Sequence, residues 1–245
     1  MKNDFTWFPG HMKKTLNFFQ KEKKKIQAVF FIVDGRIALT TLKYSFFNFF
    51  DKPIYLLINK KDLLTEKDIT YIKKHLKKFW NFKKVYFFSF KNYHNLKNFF
   101  EKHIFSEFIF FSHFLVCGFP NCGKSTLIKR LSQKKINIGK SPAITKSIQL
   151  IKVNEKINLI DTAGILPKKF FSNEDYYKFF LVNCIKRIEK NKTEVIDFLF
   201  NYLKIYDQKN FSFLFDNKSL KECAENKNFF YKIDNLKVFF DKNFN

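Results

Sequence analysis

Several residue types are scarce in this sequence, and each shortage narrows the classes of protein to which it can belong. Only six glycines and three arginines occur among the 245 residues. The four cysteines show no C-x-x-C spacing and the five histidines form no H-E-x-x-H motif, so we predict neither a zinc site nor a disulfide framework. We therefore expect a reducing compartment. Hydrophobic residues make up 46% of the chain, which argues against intrinsic disorder.

The sequence also lacks an uninterrupted apolar segment long enough to cross a membrane. The longest apolar stretch, 104–119, contains Glu107 and His113 and is shorter than the ~20 residues that a bilayer requires, so we interpret it as a buried strand. Met1 lies only six residues before Trp7, where the first motif begins, which leaves no room for a signal peptide. We expect a cytoplasmic protein without a membrane partner.

Lysine and phenylalanine are abundant, as is typical of AT-rich codon usage. The net charge of +24 is therefore partly discounted as a sign of function. Glycine needs GC-rich codons, so the few glycines that remain should mark positions where a side chain does not fit. Three of the six, Gly118, Gly123 and Gly164, lie in the motifs described below.

The order of apolar segments predicts an α/β fold. Strand-like and helix-like segments alternate up to about residue 161, which favours a mostly parallel sheet with helices on both faces. The predicted strands are 28–34, 54–59, 85–90, 111–118, 147–153 and 157–161, and the predicted helices are 42–50, 66–80, 96–105 and one starting at Lys124. Beyond about residue 167 the apolar spacing is helical (175–190, 192–206 and after 217). We predict an α/β domain over 1–168 and a small all-helical domain over 169–245.

A phosphate-binding loop is indicated by the segment GFPNCGKS at 118–125. It fits G-x-x-x-x-G-K-[ST], follows an apolar strand and precedes a helix, which is the context that the motif requires. Gly118 and Gly123 let the backbone wrap a phosphate, and Lys124 reaches the β- and γ-phosphates. The Ser125 hydroxyl is an expected ligand of Mg²⁺.

A second nucleotide motif, D-x-x-G, occupies 161–164 at the end of an apolar strand. Asp161 is expected to hold Mg²⁺ through water. The Gly164 N–H is expected to meet the γ-phosphate and to sense its loss. Between the two motifs, Thr145 is the expected switch threonine and a further Mg²⁺ ligand.

A guanine-reading motif, N-K-x-D, stands earlier in the chain, at 59–62, directly after the strand IYLLI. The Asp62 carboxylate can accept hydrogen bonds from guanine N1–H and the 2-amino group. Adenine lacks both donors, which argues against an ATP-using kinase. The Lys60 stem can lie on the face of the base.

The order of these motifs predicts a circularly permuted GTPase. Ordinary GTPases run phosphate loop, switch, D-x-x-G, N-K-x-D and S-A-K, whereas here N-K-x-D and the S-A-K-like segment SFK at 89–91 come first. No other N-K-x-D follows Ser125. We place Ser89 and Lys91 beside the base, although Phe90 departs from the pattern. The permutation puts D-x-x-G next to the helical domain, which nucleotide state can then move.

The segment WFPGHM at 7–12, joined to permuted motifs, resembles the ribosome biogenesis GTPase A family of large-subunit assembly factors. The resemblance covers about 5–166. Further matches are VDGR at 33–36, LINK at 57–60, 118–126 and LIDTAGI at 159–165. The departures are Ala163 for the usual Pro, Ala143 for the usual Gly and Gly35 for the usual Ala.

The resemblance implies an enzyme that binds GTP and GDP, uses Mg²⁺ and hydrolyses GTP when ribosomal particles stimulate it. It implies that His11 acts on the attacking water, because Ile165 replaces the glutamine of Ras-like enzymes; otherwise His11 stabilises the N-terminal loop. Asn121 matches an asparagine that helps to hold K⁺ in cation-dependent GTPases. Motifs and resemblance together give these nucleotide-binding residues: Asn59, Lys60, Asp62, Ser89, Lys91, Gly118, Asn121, Cys122, Gly123, Lys124, Ser125, Thr126 and Gly164. The expected catalytic residues are His11, Lys124, Thr145 and Gly164.

The partner that the resemblance implies is the precursor of the large ribosomal subunit and its rRNA, contacted by the helical domain of a monomer. Lysine clusters at 13–14, 21–25 and 73–84 suit contacts with phosphates, although codon usage explains them equally well. Two other functions stay open. One is a nucleotide-gated RNA-binding scaffold with vestigial hydrolysis, and the other is a permuted GTPase of the small subunit.

Overall fold

A six-stranded sheet in the order β3-β2-β1-β4-β6-β5 forms the centre of the molecule. The computed structural model describes residues 23–44, 52–79, 81–132, 149–164, 166–167, 169–185, 192–215, 223 and 237–242. The strands are β1 (Ile26–Asp34), β2 (Ile54–Asn59), β3 (Lys84–Phe87), β4 (Ser112–Gly118), β5 (Gln149–Lys152) and β6 (Ile157–Asp161). Neighbouring strands are parallel except for β5, which pairs antiparallel with β6.

Helices connect the strands and follow the sheet. They are α1 (Ala38–Lys43), α2 (Glu66–Leu76), α3 (Leu96–His103), α4 (Lys124–Ser132), α5 (Asn173–Leu181), α6 (Lys192–Tyr206) and α7 (Gln208–Phe215). Helix α2 begins where Thr65 and Asp68 form a capping box, which satisfies two of its first N–H groups. Within the ranges given above, no helix is both long and apolar enough to cross a membrane.

The sheet separates two hydrophobic cores, and side chains alternate between them along β1. Val29 and Phe31 face the core that α1 and α2 cover. Phe30 and Ile32 face the core that α3 and α4 cover. Burial on both faces is the reason that the strands are nearly continuous apolar runs in the sequence.

The described helices after β6 share a third hydrophobic cluster with part of the α/β region. The cluster contains residues of α5, α6 and α7 together with Ile37, Tyr44 and Phe119. The Phe119 ring lies 5.0 Å from the Phe179 ring, centroid to centroid. Apolar contacts of this kind cross the predicted domain boundary between residues 168 and 169. The division into two domains stays a prediction.

Helix α1 begins earlier than the sequence predicts. The predicted helix was 42–50, whereas α1 spans Ala38–Lys43 and residues 45–51 lie outside the described part. The reason is a cap from the far end of the chain. The Asp241 carboxylate accepts hydrogen bonds from the Leu39 N–H at 2.7 Å and the Thr40 N–H at 3.3 Å.

The interpretation of 104–119 as one buried strand is wrong for its first half. Strand β4 begins only at Ser112, where Ile157 of β6 becomes its partner. The three residues before it project into solvent: Ile109, Phe110 and Phe111 are 73%, 82% and 55% exposed.

Candidate nucleotide-binding site

The predicted motifs meet at the carboxyl end of the sheet. Asn59 ends β2, Gly118 ends β4 and Asp161 ends β6. In an open α/β sheet, ligands bind in the crevice outside the carboxyl ends of the strands. The sheet therefore brings the motifs to one edge, whatever their order along the chain.

One buried side chain joins the guanine-reading motif to the phosphate loop. Asn59 Nδ2 donates a hydrogen bond to the Cys122 carbonyl at 2.8 Å, and Asn59 Oδ1 accepts one from the Phe90 N–H at 2.9 Å. The amide group thus spans three segments that lie far apart in sequence. N-K-x-D, SFK and the phosphate loop form one continuous site.

The phosphate loop is held in a conformation that requires glycine. Gly123 has a φ of +111°, and a Cβ there would collide with the Asn59 amide. The Lys124 side chain is buried, and its ammonium donates to the Gly118 carbonyl at 3.1 Å and the Phe119 carbonyl at 2.8 Å. Lys124 begins α4 and is followed by Ser125 and Thr126, both partly exposed. The N-terminus of this helix favours an anion.

Buried charges fix the lysine of the guanine-reading motif. Lys60 has a φ of +61°, and its ammonium lies 2.7 Å from an Asp34 carboxylate oxygen. Arg36 donates to the same carboxylate through Nε at 3.1 Å and Nη2 at 2.9 Å. Burial alone would raise the pKa of Asp34, but Arg36 and Lys60 outweigh it and hold that pKa well below its usual range. Asp62, two residues beyond Lys60, is exposed to solvent.

Arg130 on α4 holds the SFK segment against the phosphate-loop helix. Its guanidinium donates to the carbonyls of Phe90 at 3.3 Å, Lys91 at 3.1 Å and Tyr93 at 2.5 Å. The Ser89 carbonyl accepts from the Tyr93 N–H at 2.8 Å, which closes the turn after the segment. SFK is therefore positioned through its backbone N–H and carbonyl groups, which a phenylalanine at position 90 offers as well as an alanine does.

Sequence reasoning missed the positioning roles of Arg36 and Arg130. A signal was present, because arginine is as scarce as glycine in this lysine-rich chain. A guanidinium donates to several acceptors in a fixed fork, which an ammonium cannot reproduce. Both arginines that the structure describes are used in this way, and Arg187 lies outside the described residues.

The D-x-x-G segment packs on the phosphate loop. The Thr162 hydroxyl donates to the Val116 carbonyl at 3.0 Å, which ties the end of β6 to β4. A Cβ on Gly164 would lie 2.7 Å from the Pro120 nitrogen, so only glycine allows this approach. Asp161 is buried beside them. The structure thus packs Gly164 on the loop and places Asp161 at the end of β6, paired with Val116 of β4.

The outer side of the phosphate loop contacts the helical region directly. The Cys184 thiol donates to the Pro120 carbonyl at 3.0 Å, and Asn121 Nδ2 donates to the Asn183 carbonyl at 2.6 Å. Asn183 and Cys184 follow the end of α5. No motif pointed to them, because the contact depends on where α5 docks.

Oxygen donors at the site suit Mg²⁺. The Ser125 hydroxyl and the Asp161 carboxylate belong to the hard donor class that Mg²⁺ prefers. Two predicted residues, His11 and Thr145, lie outside the described residues, as does the WFPGHM segment. Asn121, the predicted K⁺ ligand, donates from its amide nitrogen to the Asn183 carbonyl.

Comparison with known proteins bears on the family of this chain. The profile of a family described as 50S ribosome-binding GTPase matches residues 113–230, a range that holds the phosphate loop and D-x-x-G but not N-K-x-D. Probable ribosome biogenesis GTPase A of Mycoplasma genitalium is 33% identical over 205 residues, which cover 81% of this chain and 74% of that protein. The chain belongs to the ribosome biogenesis GTPase A family.

Other family members and solved structures support the same membership. Ribosome biogenesis GTPase A of Thermotoga maritima is 29% identical over 190 residues, covering 76% of this chain and 70% of that protein. The crystal structure of GNP-bound YlqF from T. maritima superposes with a TM-score of 0.64 at 23% identity, covering 93% and 97% of the two chains. Membership of this family confirms the resemblance that was predicted from the motifs. The structural likeness confirms the predicted fold, which is that of a permuted GTPase.

Proposed function

We propose that this chain binds GTP and GDP at the carboxyl end of its sheet and hydrolyses GTP during assembly of the large ribosomal subunit. The two-sided hydrogen bonding of Asn59 carries the proposal, because it joins the N-K-x-D segment to the GFPNCGKS segment and so supports a single nucleotide site. Membership of a family named for ribosome biogenesis and GTPase activity supports the reaction. The matching family's description as 50S ribosome-binding supports the large subunit.

Exchange of one carboxylate tests the guanine reader. Asp62→Asn replaces a carboxylate, which accepts two hydrogen bonds from guanine, with an amide. The amide NH₂ group then faces one of the guanine donors and cannot accept from it, so GTP affinity should fall at least about 100-fold. Xanthosine triphosphate carries an oxygen where guanine has its amino group, and the variant should bind it better than the wild type does. Glu66→Gln, an exposed acid at the start of α2, is the matched control. Unchanged GTP binding in Asp62→Asn would contradict the proposal.

The phosphate end divides its tasks among Lys124, Ser125 and Asp161. Lys124 neutralises charge on the β- and γ-phosphates, and the glycines of the loop let the backbone follow them. Ser125 and Asp161, with Thr145, would hold Mg²⁺. The ion would neutralise charge on the same phosphates when bound. This division explains why a cation and an acid are both buried at this edge.

Water activation is assigned to His11. His11→Ala should keep GTP affinity and lower the turnover that ribosomal particles stimulate, because the imidazole polarises the water rather than binding the nucleotide. Unchanged turnover on the particles would refute this role and leave His11 a structural residue.

The Asn121 oxygen is assigned to K⁺, which would stabilise charge beside the phosphates as an arginine finger does. Turnover should be faster in KCl than in NaCl of equal concentration. Asn121→Ser should reduce this difference. Equal rates in the two salts would contradict the assignment.

Loss of the γ-phosphate is proposed to reach the helical region through the phosphate loop. Gly164 packs on Pro120, and Pro120 accepts the Cys184 hydrogen bond, so a shift at D-x-x-G is passed to the end of α5. GTP would then favour binding to the immature subunit by a cytoplasmic monomer, and hydrolysis would release it. Sedimentation with 50S precursors, in GDP or in a non-hydrolysable GTP analogue, tests this order.

The same experiment separates the two remaining functions. A chain that binds GTP but shows no turnover with 50S precursors is a nucleotide-gated scaffold. Co-sedimentation with small-subunit precursors would identify a small-subunit factor. Stimulated turnover with large-subunit precursors alone supports the proposal.

A further inference from the structure

The amino end of the sheet carries exposed aromatic rings with lysines on both sides. Phe110 and Phe111, just before β4, are 82% and 55% exposed. We name the surface formed by Phe110, Phe111, Lys24 and Lys156 the amino-end platform. It plays no part in the nucleotide site, which lies at the opposite end of the same strands.

Strand pairing places these residues side by side. Strand β4 lies between β1 and β6. Lys24 and Lys25 directly precede β1, whose Ile26 pairs with His113 of β4. Lys156 directly precedes β6, and its carbonyl accepts a hydrogen bond from the Ser112 N–H at 2.8 Å. The two rings therefore have exposed lysines on both sides.

Two acidic residues of the described part of the chain lie close to the platform in sequence, and each is paired with a lysine outside the platform. Glu107 lies 2.5 Å from the Lys84 ammonium, and Glu155 lies 3.0 Å from the Lys152 ammonium. These two acids therefore do not neutralise Lys24 and Lys156.

We propose that the amino-end platform binds unpaired RNA, with bases stacked on the two phenylalanines and backbone phosphates beside the lysines. Exposed aromatic rings flanked by cations are the recognition surface of single-stranded nucleic acid, since every base has a face that can stack. A duplex offers no free base faces except at its ends. That the RNA is ribosomal rests on the proposed function. A seven-residue strand separates the two ends by about 20 Å, so RNA and nucleotide bind together.

Stacking is tested with a substitution that keeps apolar area. The double variant Phe110→Leu with Phe111→Leu should bind a fluorescein-labelled, unstructured RNA 12-mer at least about fivefold more weakly in anisotropy titrations. Phe171→Leu, which alters a phenylalanine that is 72% exposed after β6, is the matched control and should bind like wild type. A duplex of the same length should bind equally to all three proteins.

The lysines are tested through salt dependence. Lys24→Gln with Lys156→Gln should flatten the plot of log affinity against log salt by about 1.4, the value for two lost phosphate contacts on a single strand. Lys67→Gln with Lys129→Gln, which alters exposed lysines of α2 and α4 outside the lysine clusters, is the control. An unchanged slope would show that the lysines do not meet phosphates, and it would overturn the proposal.

Two further readouts keep the outcomes distinct. Wild-type affinity in the Leu variant would mean that the platform holds no stacked base and fits an apolar protein surface, which refutes the proposal. The Phe111 ring lies 5.1 Å from the His113 ring, centroid to centroid, so a small fall in the melting temperature of the Leu variant is expected and the titrations are run well below it. GTP binding is measured on the wild type and on each variant. If the proposed function is wrong, the wild type itself does not bind GTP. If only the proposal for the platform is wrong, the wild type still binds GTP.

Discussion

The two ends of the central sheet use charge in opposite ways. At the carboxyl end, Asp34, Arg36 and Asn59 are buried, and each has at least two hydrogen-bond or ion-pair contacts. At the amino end, Lys24 and Phe110 are exposed. The same strands form both ends, so the difference fits the two proposed roles: binding of a small charged ligand at the carboxyl end and of a large partner at the amino end.

The difference has an energetic consequence. A buried charge without its partner costs several kcal/mol, whereas an exposed ion pair contributes little. Substitutions at the carboxyl end should therefore change stability and nucleotide binding together. Substitutions at the amino end should leave stability unchanged and affect only binding to a partner.

Asp34→Asn should have the largest effect. It leaves Arg36 buried without a counter-charge, and the free energy of unfolding should fall by about 3–5 kcal/mol in urea titrations. The folded-state pKa of Asp34 lies below the ordinary value, so its contribution is present above about pH 4 and is lost as the pH falls further. The difference between wild type and variant should thus narrow on acidification. A difference that is constant between about pH 6 and pH 2 would contradict the ion network.

Lys124→Ala should have the next largest effect. Removing the ammonium from the phosphates should slow GTP turnover about 10²–10³-fold, the range found when one donor to developing charge is removed. Lys129→Ala, an exposed lysine later in α4, is the matched control and should turn over like wild type. Equal turnover rates in Lys124→Ala and Lys129→Ala would contradict the expected difference between a buried lysine and an exposed one.

Asp241→Ala should have an intermediate effect on stability. It removes the acceptor for Leu39, Thr40 and the Thr40 hydroxyl at the start of α1, so the free energy of unfolding should fall by about 2 kcal/mol. Thermal melting measures the loss. Asp207→Ala, an acid between α6 and α7, is the comparison, and a larger loss there would contradict the cap.

Glu107→Gln should have the smallest effect. It makes the same chemical change as Asp34→Asn, but at the amino end, where Glu107 is exposed and Lys84 is half-buried. The amide oxygen can still accept from the Tyr55 hydroxyl, so no change in melting temperature is expected. A loss as large as that of Asp34→Asn would remove the distinction between the two ends.

Much of the site could be predicted because its motifs are local. A phosphate loop, D-x-x-G and N-K-x-D each require particular residues over four to eight positions, and their permuted order is visible in the chain. The strands were predicted within a few residues because both faces are buried. Helix α1 was misplaced because its cap, Asp241, comes from about 200 residues away.

The sequence by itself determined which nucleotide chemistry this chain carries and in what order its parts occur, because scarce glycines and charged motifs are retained only where geometry or a ligand requires them. Only the tertiary structure decided that Asn59 bridges the motifs, that Asn183 touches the phosphate loop and that Phe110 is exposed at the other end. Those facts depend on strand register and helix docking, which are set by packing over the whole chain and leave no local pattern.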